Sequence, residues 1–216
     1  MTTLAKRYGE IIRHKEFYIQ LGIGILLLAV AGFFNTYANY YTATHRSTTL
    51  VSDIILDHLP AIDVSVVFLE GFLIFLGFVI LVGFHKPSRV PFMLKTSALF
   101  ILIRAFFITL THLAPPLHPY IFHTDNILER LISGSGEDLF FSGHAGYPML
   151  MALIFWHKPV LRKIFLAASI FFAGVVLLGH LHYSIDVFSA FFISYGIFHI
   201  AIRLFKKDYK VFVQAR

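Results

Sequence analysis

The sequence predicts an all-α integral membrane protein, a bundle of six transmembrane helices in one domain that covers residues 1–216. Two properties of the composition support this fold class: 57% of the residues are hydrophobic and only 14% are charged, and the mean hydropathy is +0.75. A soluble domain of this length is more polar. In addition, apolar segments recur six times, most of them close to the ~20 residues that a helix needs to cross a bilayer.

The six predicted spans account for most of the chain. They lie at about 17–40, 64–84, 92–113, 142–156, 162–181 and 184–205. The basic segment 1–16 precedes a first span that is long enough to cross the membrane and has no small-residue cleavage site, so we expect no cleaved signal peptide. A polar connection at 41–63, a proline-containing turn at 85–91 and a longer loop at 114–140 separate later spans.

Positive charge predicts the orientation of the bundle. With the N-terminus inside, 15 of the 18 lysines and arginines lie in the predicted cytoplasmic segments or at the cytoplasmic ends of the adjoining spans. Of the other three, Arg46 and Arg130 fall on the opposite side and Arg104 lies within a span. This distribution satisfies the positive-inside rule at every connection, so we expect both termini in the cytoplasm. The fourth and sixth predicted helices then begin on the opposite, periplasmic or luminal, face of the membrane.

Several functional classes do not fit this sequence. The net charge of +6 does not indicate a nucleic-acid partner, because the basic residues are distributed between apolar segments and do not gather on one face. The chain has no cysteine, which excludes disulfides and thiolate metal sites. His112, His118 and His123 are spaced by six and five residues on a Pro-rich loop, which matches no ordinary ligand pattern. We therefore expect neither a metal nor another cofactor.

A histidine and an aspartate at the start of the sixth predicted helix are candidate catalytic residues. His182 and Asp186 are four residues apart, and on a helix this spacing puts both on one face. The carboxylate can then fix the tautomer of the histidine and leave the other ring nitrogen free for chemistry. A purely structural His–Asp pair is the alternative, and we interpret His180 as structural.

The tripeptide Ser142-Gly143-His144 begins the fourth predicted helix. Backbone N–H groups of Ser142 and Gly143 at a positive helix end can bind a phosphate or another anion. A histidine at this position would be a proton donor beside that anion. The alternative is that Ser142 is only an N-cap and His144 an interfacial histidine.

Two charged residues fall inside predicted spans. Glu70 and Arg104 are expected either to serve a functional site or to pair with each other. The guanidinium fork of Arg104 suits phosphate oxygens. However, Arg104 lies about nine residues, or ~14 Å, from the predicted outer end of its span, which is deep for the level of the two histidines. Substrate contact and a Glu70–Arg104 pair both stay open.

Four segments resemble, in the same order, motifs of the sphingomyelin synthase family, a branch of the type 2 phosphatidic acid phosphatase superfamily. They are LVSDIILDHLPAIDVSVVFLEG, IRAFFITLTHLAPPLH, EDLFFSGH and GHLHYSIDVFSAFF. The first contains Asp53 and Glu70, the second Arg104, and the third Asp138 as well as His144. The resemblance covers about residues 50–205. Each motif is weak alone, and the ordered set is specific.

The resemblance implies a six-helix membrane enzyme whose active site faces the lumen or periplasm. His182 would attack phosphorus, Asp186 would orient it, and His144 would protonate the leaving group. A phosphohistidine would then pass a phospho-head group from a phospholipid donor to a lipid alcohol such as ceramide or diacylglycerol. The candidate substrate-binding residues are Glu70, Arg104, Asp138, Ser142 and Gly143.

Two departures from the family pattern bear on the predicted function, and the loop before the Ser-Gly-His turn is also shorter than in the family. Eukaryotic members have an acid where this chain has Leu181, which leaves the head group open. The wider superfamily has a Ser-Arg pair where this chain has Val175 and Val176, so the transferase-like branch is the better fit.

The sequence leaves two other functions open. A lipid phosphate phosphatase or phospholipase C-type hydrolase would use the same triad with water as the acceptor. A non-catalytic lipid binder or transporter belongs to another class, although transporters more often show repeated halves or broken helices, and no internal repeat is visible here. Whether the chain forms homo-oligomers is also open.

Overall fold

The computed structural model describes residues 15–45, 47–116 and 139–214. Within these ranges the chain is helical and contains no strand. The helices are α1 (Lys15–His45), α2 (Ser65–His85), α3 (Val90–Ile108), α4 (Gly143–Ile154), α5 (Pro159–Leu178), α6 (Ser184–Leu204) and α7 (Lys206–Gln214). Short 3-10 turns at Leu56–His58 and Pro87–Arg89 precede α2 and α3.

Five helices within the described residues are long and apolar enough to cross a membrane, namely α1, α2, α3 with the turn before it, α5 and α6. This is consistent with a multi-pass integral membrane protein. Helix α1 has 31 residues and extends beyond the predicted span 17–40 at both ends. At 1.5 Å per residue it is ~46 Å long and exceeds the ~30 Å hydrocarbon core, so it must tilt or protrude.

The predicted count of six spans is not confirmed, because α4 has only 12 residues where a span at 142–156 was expected. Its length of ~18 Å falls short of the hydrocarbon core. The helix stops because the chain turns tightly after Ile154: the backbone N–H of Lys158 donates to the carbonyl of Phe155 at 2.8 Å. Pro159 then begins α5. Most of α4 is buried, so it is an interior helix of the bundle.

Helix α3 also ends earlier than the predicted boundary at 113. It stops at Ile108, where the hydroxyl of Thr109 donates to the carbonyl of Phe106 at 2.7 Å. A threonine side chain that bonds to nearby backbone in this way competes with continuation of the helix. The N-terminal residues 1–14 lie outside the described residues, so the cytoplasmic orientation of the termini stays a prediction.

Helix α4 packs closely against its neighbours because it is rich in small residues. A Cβ added at Gly146 would lie 3.0 Å from the Ser194 hydroxyl and 3.2 Å from Phe100. Ser194 of α6 donates to the carbonyl of Gly146 at 2.9 Å, and Ser169 of α5 donates to the carbonyl of Ala145 at 2.7 Å. Small residues and interhelical hydroxyl bonds of this kind are typical of helix packing in membranes.

Buried charge holds α7 against the other end of the bundle. Lys95 of α3 forms an ion pair with Asp208 of α7 at 2.7 Å and also donates to Gln20 of α1 at 2.5 Å. The guanidinium of Arg89 lies 5.6 Å from the ring centre of Phe212 in α7. These contacts join α1, α3 and α7 on the side away from Arg104, near the other end of α3.

The connection between α5 and α6 depends on a close approach at Gly179. A Cβ at this position would lie 2.5 Å from a methyl group of Val64, just before α2. We therefore predict that Gly179→Ala lowers the free energy of unfolding by about 1–3 kcal/mol through overpacking. For a chain of this length the Tm in detergent would fall by about 2–4 °C per kcal/mol. Gly174→Ala is the matched control, since nothing lies within 4 Å of its added Cβ. Equal Tm values for the two variants would contradict this account.

Candidate active site

The segments that carry the predicted histidines meet at one end of the bundle. The backbone N–H of Ser142, at the start of α4, donates to the carbonyl of Asp186 in the first turn of α6 at 3.1 Å. Arg104, near the end of α3, donates through Nε to the carbonyl of Phe141 at 2.9 Å. The starts of two helices and the end of a third are thus bonded to one another.

His182 is held by two oxygen atoms on one side of its ring. Its Nδ1 lies 2.8 Å from the carbonyl oxygen of Leu139 and 3.4 Å from Oδ2 of Asp186. A carbonyl and a carboxylate only accept hydrogen bonds, so Nδ1 carries the proton. In neutral His182 the lone pair is therefore on Nε2, and the described residues provide no hydrogen-bond partner to this atom.

The geometry of the His182–Asp186 pair differs from the predicted helical one. His182 precedes the helix, which begins at Ser184. The carboxylate reaches back because Asp186 is the third residue of α6, and its Oδ2 also accepts the backbone N–H of Tyr183 at 3.0 Å. The predicted contact between His182 and Asp186 is therefore present. It forms because Asp186 caps the start of α6, and not because both residues lie on one face of a helix.

Asp186 is fully buried, with 0% of its surface exposed. Its second oxygen, Oδ1, has no hydrogen-bond partner among the described residues. Arg104 lies within electrostatic range of the carboxylate. A negative charge is also favourable in the first turn of a helix, where the backbone N–H groups leave a partial positive charge. His182, the Tyr183 N–H and Arg104 thus favour the ionised carboxylate, and they act against the cost of burying its charge.

His144 is buried between aromatic rings of α2. Its ring centre lies 3.9 Å from that of Phe68 and 4.1 Å from that of Phe72. Nε2 is 3.2 Å from the carbonyl oxygen of Phe68, which can only accept, so Nε2 carries a proton and donates it. Both His182 and Arg104 lie within electrostatic range of this ring. Helix α2 thus fixes the plane of the His144 ring beside His182.

Arg104 lies at the level of the Ser-Gly-His turn, and the expectation that it is too deep is wrong. An added Cβ at Gly143 would be 3.4 Å from Nε of Arg104, so the guanidinium packs over the glycine. The error has two sources. Helix α3 ends at Ile108, only ~6 Å beyond Arg104 at helical rise, and the turn before α4 lies inside the bundle.

The other candidate substrate-binding residues have different outcomes. Glu70 is exposed on α2, two residues from Phe68 and roughly 200° around the helix from it. Within residues 15–45, 47–116 and 139–214 no Glu70–Arg104 ion pair occurs; the ion pairs there are Lys95–Asp208 and His182–Asp186. Asp138 lies outside the described residues.

Ser142 is the N-cap of α4, which is one of the two roles expected for it from the sequence. Its hydroxyl accepts the backbone N–H of Ala145 at 3.4 Å. The expectation of a free N–H on Ser142 is wrong, because Asp186 accepts it. The N–H groups of Gly143 and His144 have no acceptor among the described residues, so they are the backbone donors available to an anion at this helix start.

Asp53 joins the segment before α2 to the start of α6. In the sequence it stands out only as a member of the first motif, with no role of its own. Its Oδ1 accepts the N–H groups of Ile55 and Leu56 at 2.9 and 3.1 Å. Its Oδ2 accepts the N–H of Ser184 at 2.6 Å. Burial by itself raises the pKa of Asp53, but these N–H donors outweigh burial and hold the pKa below its usual value. The local signal was an aspartate placed to cap the turn at Leu56–His58.

Two further contacts fix the same connection. The hydroxyl of Tyr183 donates to the carbonyl of Ala114 at 2.9 Å. His180, whose φ of 51° lies in the left-handed region, has its Nε2 3.1 Å from the carbonyl oxygen of Leu59. Its described contact agrees with the structural role expected for His180. In the part of the chain that the structure describes, no group of three or more histidine and carboxylate side chains is placed to hold a metal.

Two histidines, an aspartate and an arginine at one end of a bundle of membrane-spanning length define a class of site suited to phosphoryl transfer. Residues 136–203 match the family model described as PAP2 superfamily C-terminal. This match covers the Ser-Gly-His turn, α4, α5 and most of α6, while Arg104 and Glu70 lie outside it.

The match supports a relationship between this chain and the type 2 phosphatidic acid phosphatase superfamily. Members of that superfamily are phosphoryl-transfer or phosphatase enzymes that act on lipid phosphates. A search of curated proteins found no significant match.

The three N–H bonds to Asp53 predict a pH-dependent contribution to stability. Asp53→Asn keeps only one carbonyl acceptor and should lower the free energy of unfolding by about 1–3 kcal/mol at neutral pH. Because the folded-state pKa is depressed, the wild-type advantage is fully present above the unfolded pKa of about 4 and is lost as the pH falls through the folded value. Thermal unfolding of both proteins across this pH range measures the difference. A difference that stays constant down to the lowest pH would contradict the assignment.

Proposed function

We propose that this protein is a membrane lipid phosphotransferase, similar to the sphingomyelin synthases, that moves a phospho-head group between lipids through a phosphohistidine on His182. The observation that carries the proposal is the position of the His182 proton. Two oxygen acceptors hold Nδ1–H, so the lone pair is on Nε2, which is the atom a nucleophilic histidine requires.

The first half-reaction forms the phosphohistidine. Nε2 of His182 attacks the phosphorus of the donor phospholipid, and the bond between phosphorus and the oxygen of the lipid alcohol breaks. His144, protonated on both ring nitrogens when the donor is bound, gives its Nδ1 proton to that oxygen and keeps the Nε2–H that bonds to the Phe68 carbonyl. The lipid alcohol therefore leaves as a neutral molecule. The phosphorylated ring keeps its Nδ1–H and carries a positive charge, which the Asp186 carboxylate stabilises from 3.4 Å.

The second half-reaction returns the enzyme to its starting state. The hydroxyl oxygen of the acceptor lipid attacks the same phosphorus, and the N–P bond to His182 breaks. His144, now neutral, takes the hydroxyl proton. Arg104 and the backbone N–H groups of Gly143 and His144 surround one helix start, where they would stabilise the charge on the phosphoryl oxygens in both steps.

Two observations support a lipid acceptor over water. His144 and His182 are each only 5% exposed, and a site that excludes water protects a reactive intermediate from hydrolysis. In addition, Val175 and Val176 occupy the positions of the Ser-Arg pair of the wider superfamily, and both are buried in the apolar core. The side chains at these two positions carry no polar group. We therefore propose that Arg104 of α3 is the arginine that binds the phosphate.

The proposed nucleophile predicts a covalent intermediate. Purified protein incubated with a donor labelled at phosphorus and quenched in alkali should retain acid-labile label, and His182→Ala should retain none. His182→Ala should also lower turnover by at least about a thousandfold, the scale for losing a nucleophile, and His144→Ala should abolish turnover as well. His199→Ala is the control, because His199 packs on Tyr195 lower in α6. Turnover by His182→Ala at the wild-type rate would rule out this nucleophile. Absence of turnover in both proteins would instead favour a non-catalytic lipid binder.

Product analysis separates transfer from hydrolysis. Purified protein is incubated with mixed phospholipids, with and without ceramide or diacylglycerol, and the lipids are identified by mass spectrometry. We expect a new lipid that carries the donor head group and appears only when the acceptor is added. Release of free phosphate or of a phosphorylated head group, at the same rate with and without acceptor, would instead assign a hydrolase.

A further inference from the structure

An apolar groove of about 400 Å³ runs between α3 and α6 on the outside of the bundle. Its walls include Leu102, Phe106 and Phe107 of α3, and Ile193, Gly196 and Ile200 of α6. Both helices are of membrane-spanning length and hydropathy. The groove therefore opens towards the hydrocarbon core of a bilayer, where an aliphatic chain is its natural occupant.

The groove lies beside the candidate active site, because both of its walls belong to helices that carry site residues. On α3, Phe107 is one turn from Arg104, and its ring centre is 6.2 Å from that of Phe141, whose carbonyl accepts the Arg104 Nε–H. On α6, Asp186, Ile193 and Ile200 recur every seven residues and so share one stripe of the helix. On α3 the groove thus reaches to within one helical turn of Arg104.

We propose that this groove binds an acyl chain of the donor phospholipid while its phosphorus lies at His182, an inference that rests on the proposed function. The positive charge of Arg104 indicates that the occupant of the groove is the donor lipid and not the acceptor. Its guanidinium projects from the helix that forms one wall, and it attracts the lipid that brings a phosphate into the site. The acceptor carries no phosphate, so this attraction does not apply to it.

Gly196 makes the proposal testable without disturbing the protein. No heavy atom lies within 4 Å of the Cβ that a substitution would add, so a larger side chain enters the groove and not the protein core. Gly174 of α5 has the same open surroundings and is the matched control. Replacing either glycine inside a helix also favours the helical state, so both variants should fold.

The experiment compares kcat/KM for a long-chain donor and a short-chain, water-soluble donor in Gly196→Leu and Gly174→Leu. Displacing a few methylene groups from the groove should lower kcat/KM of Gly196→Leu for the long-chain donor about tenfold or more. The short-chain donor and the control variant should be affected less than about twofold. Equal loss with both donors, or loss that follows the chain length of the acceptor, would overturn the proposal.

A binding measurement tests the groove even if the proposed reaction is wrong. A phospholipid with a photoreactive group on its acyl chain is crosslinked to the purified protein, beside a lipid with the same chain and no phosphate. We expect peptides covering residues 193–200 to be labelled more strongly by the phospholipid, and this excess to disappear in Gly196→Leu but not in Gly174→Leu. Equal labelling by both lipids would show that the groove contacts bulk membrane lipid without selectivity, and it would overturn the proposed binding of the donor. Excess labelling without turnover would retain the groove and reject the phosphotransferase.

Discussion

Asp186 is the residue on which the arrangement of this site depends. Its carbonyl accepts the N–H of Ser142, so the starts of α4 and α6 are fixed relative to each other. Its carboxylate accepts the N–H of Tyr183 and contacts Nδ1 of His182. One residue therefore ends a turn, begins a helix and orients an imidazole. Because Asp186 is fully buried, each of these contacts is stronger than it would be in water.

The long helices could be predicted from the sequence because hydropathy over ~20 residues is a strong signal. The short interior helix α4 could not, since its apolar residues are indistinguishable from a membrane span until the turn after Ile154 is seen. Membership in a phosphatase and phosphotransferase superfamily could also be expected from the order of the motifs, and the match of residues 136–203 supports it. The narrower resemblance to sphingomyelin synthases stays a proposal.

The details of the site were predictable where they depend on local spacing and not where they depend on depth. The His182–Asp186 contact followed from the four-residue interval, although the chain makes it through helix capping. Arg104 was placed too far from the histidines because the end of α3 and the position of the turn before α4 are properties of packing. The role of Asp53 needed the fold itself, since its partner Ser184 lies 131 residues away.

The ion pair between Lys95 and Asp208 has a consequence for the far end of the molecule. Lys95 is 3% exposed, so its charge is compensated within the bundle by a side chain that only α7 supplies. Removing one member of a buried pair leaves the other charge without compensation and is strongly unfavourable. The short polar helix after the last membrane-spanning segment is thus an integral part of the bundle, and shortening the chain before Asp208 would destabilise α3, the helix that carries Arg104.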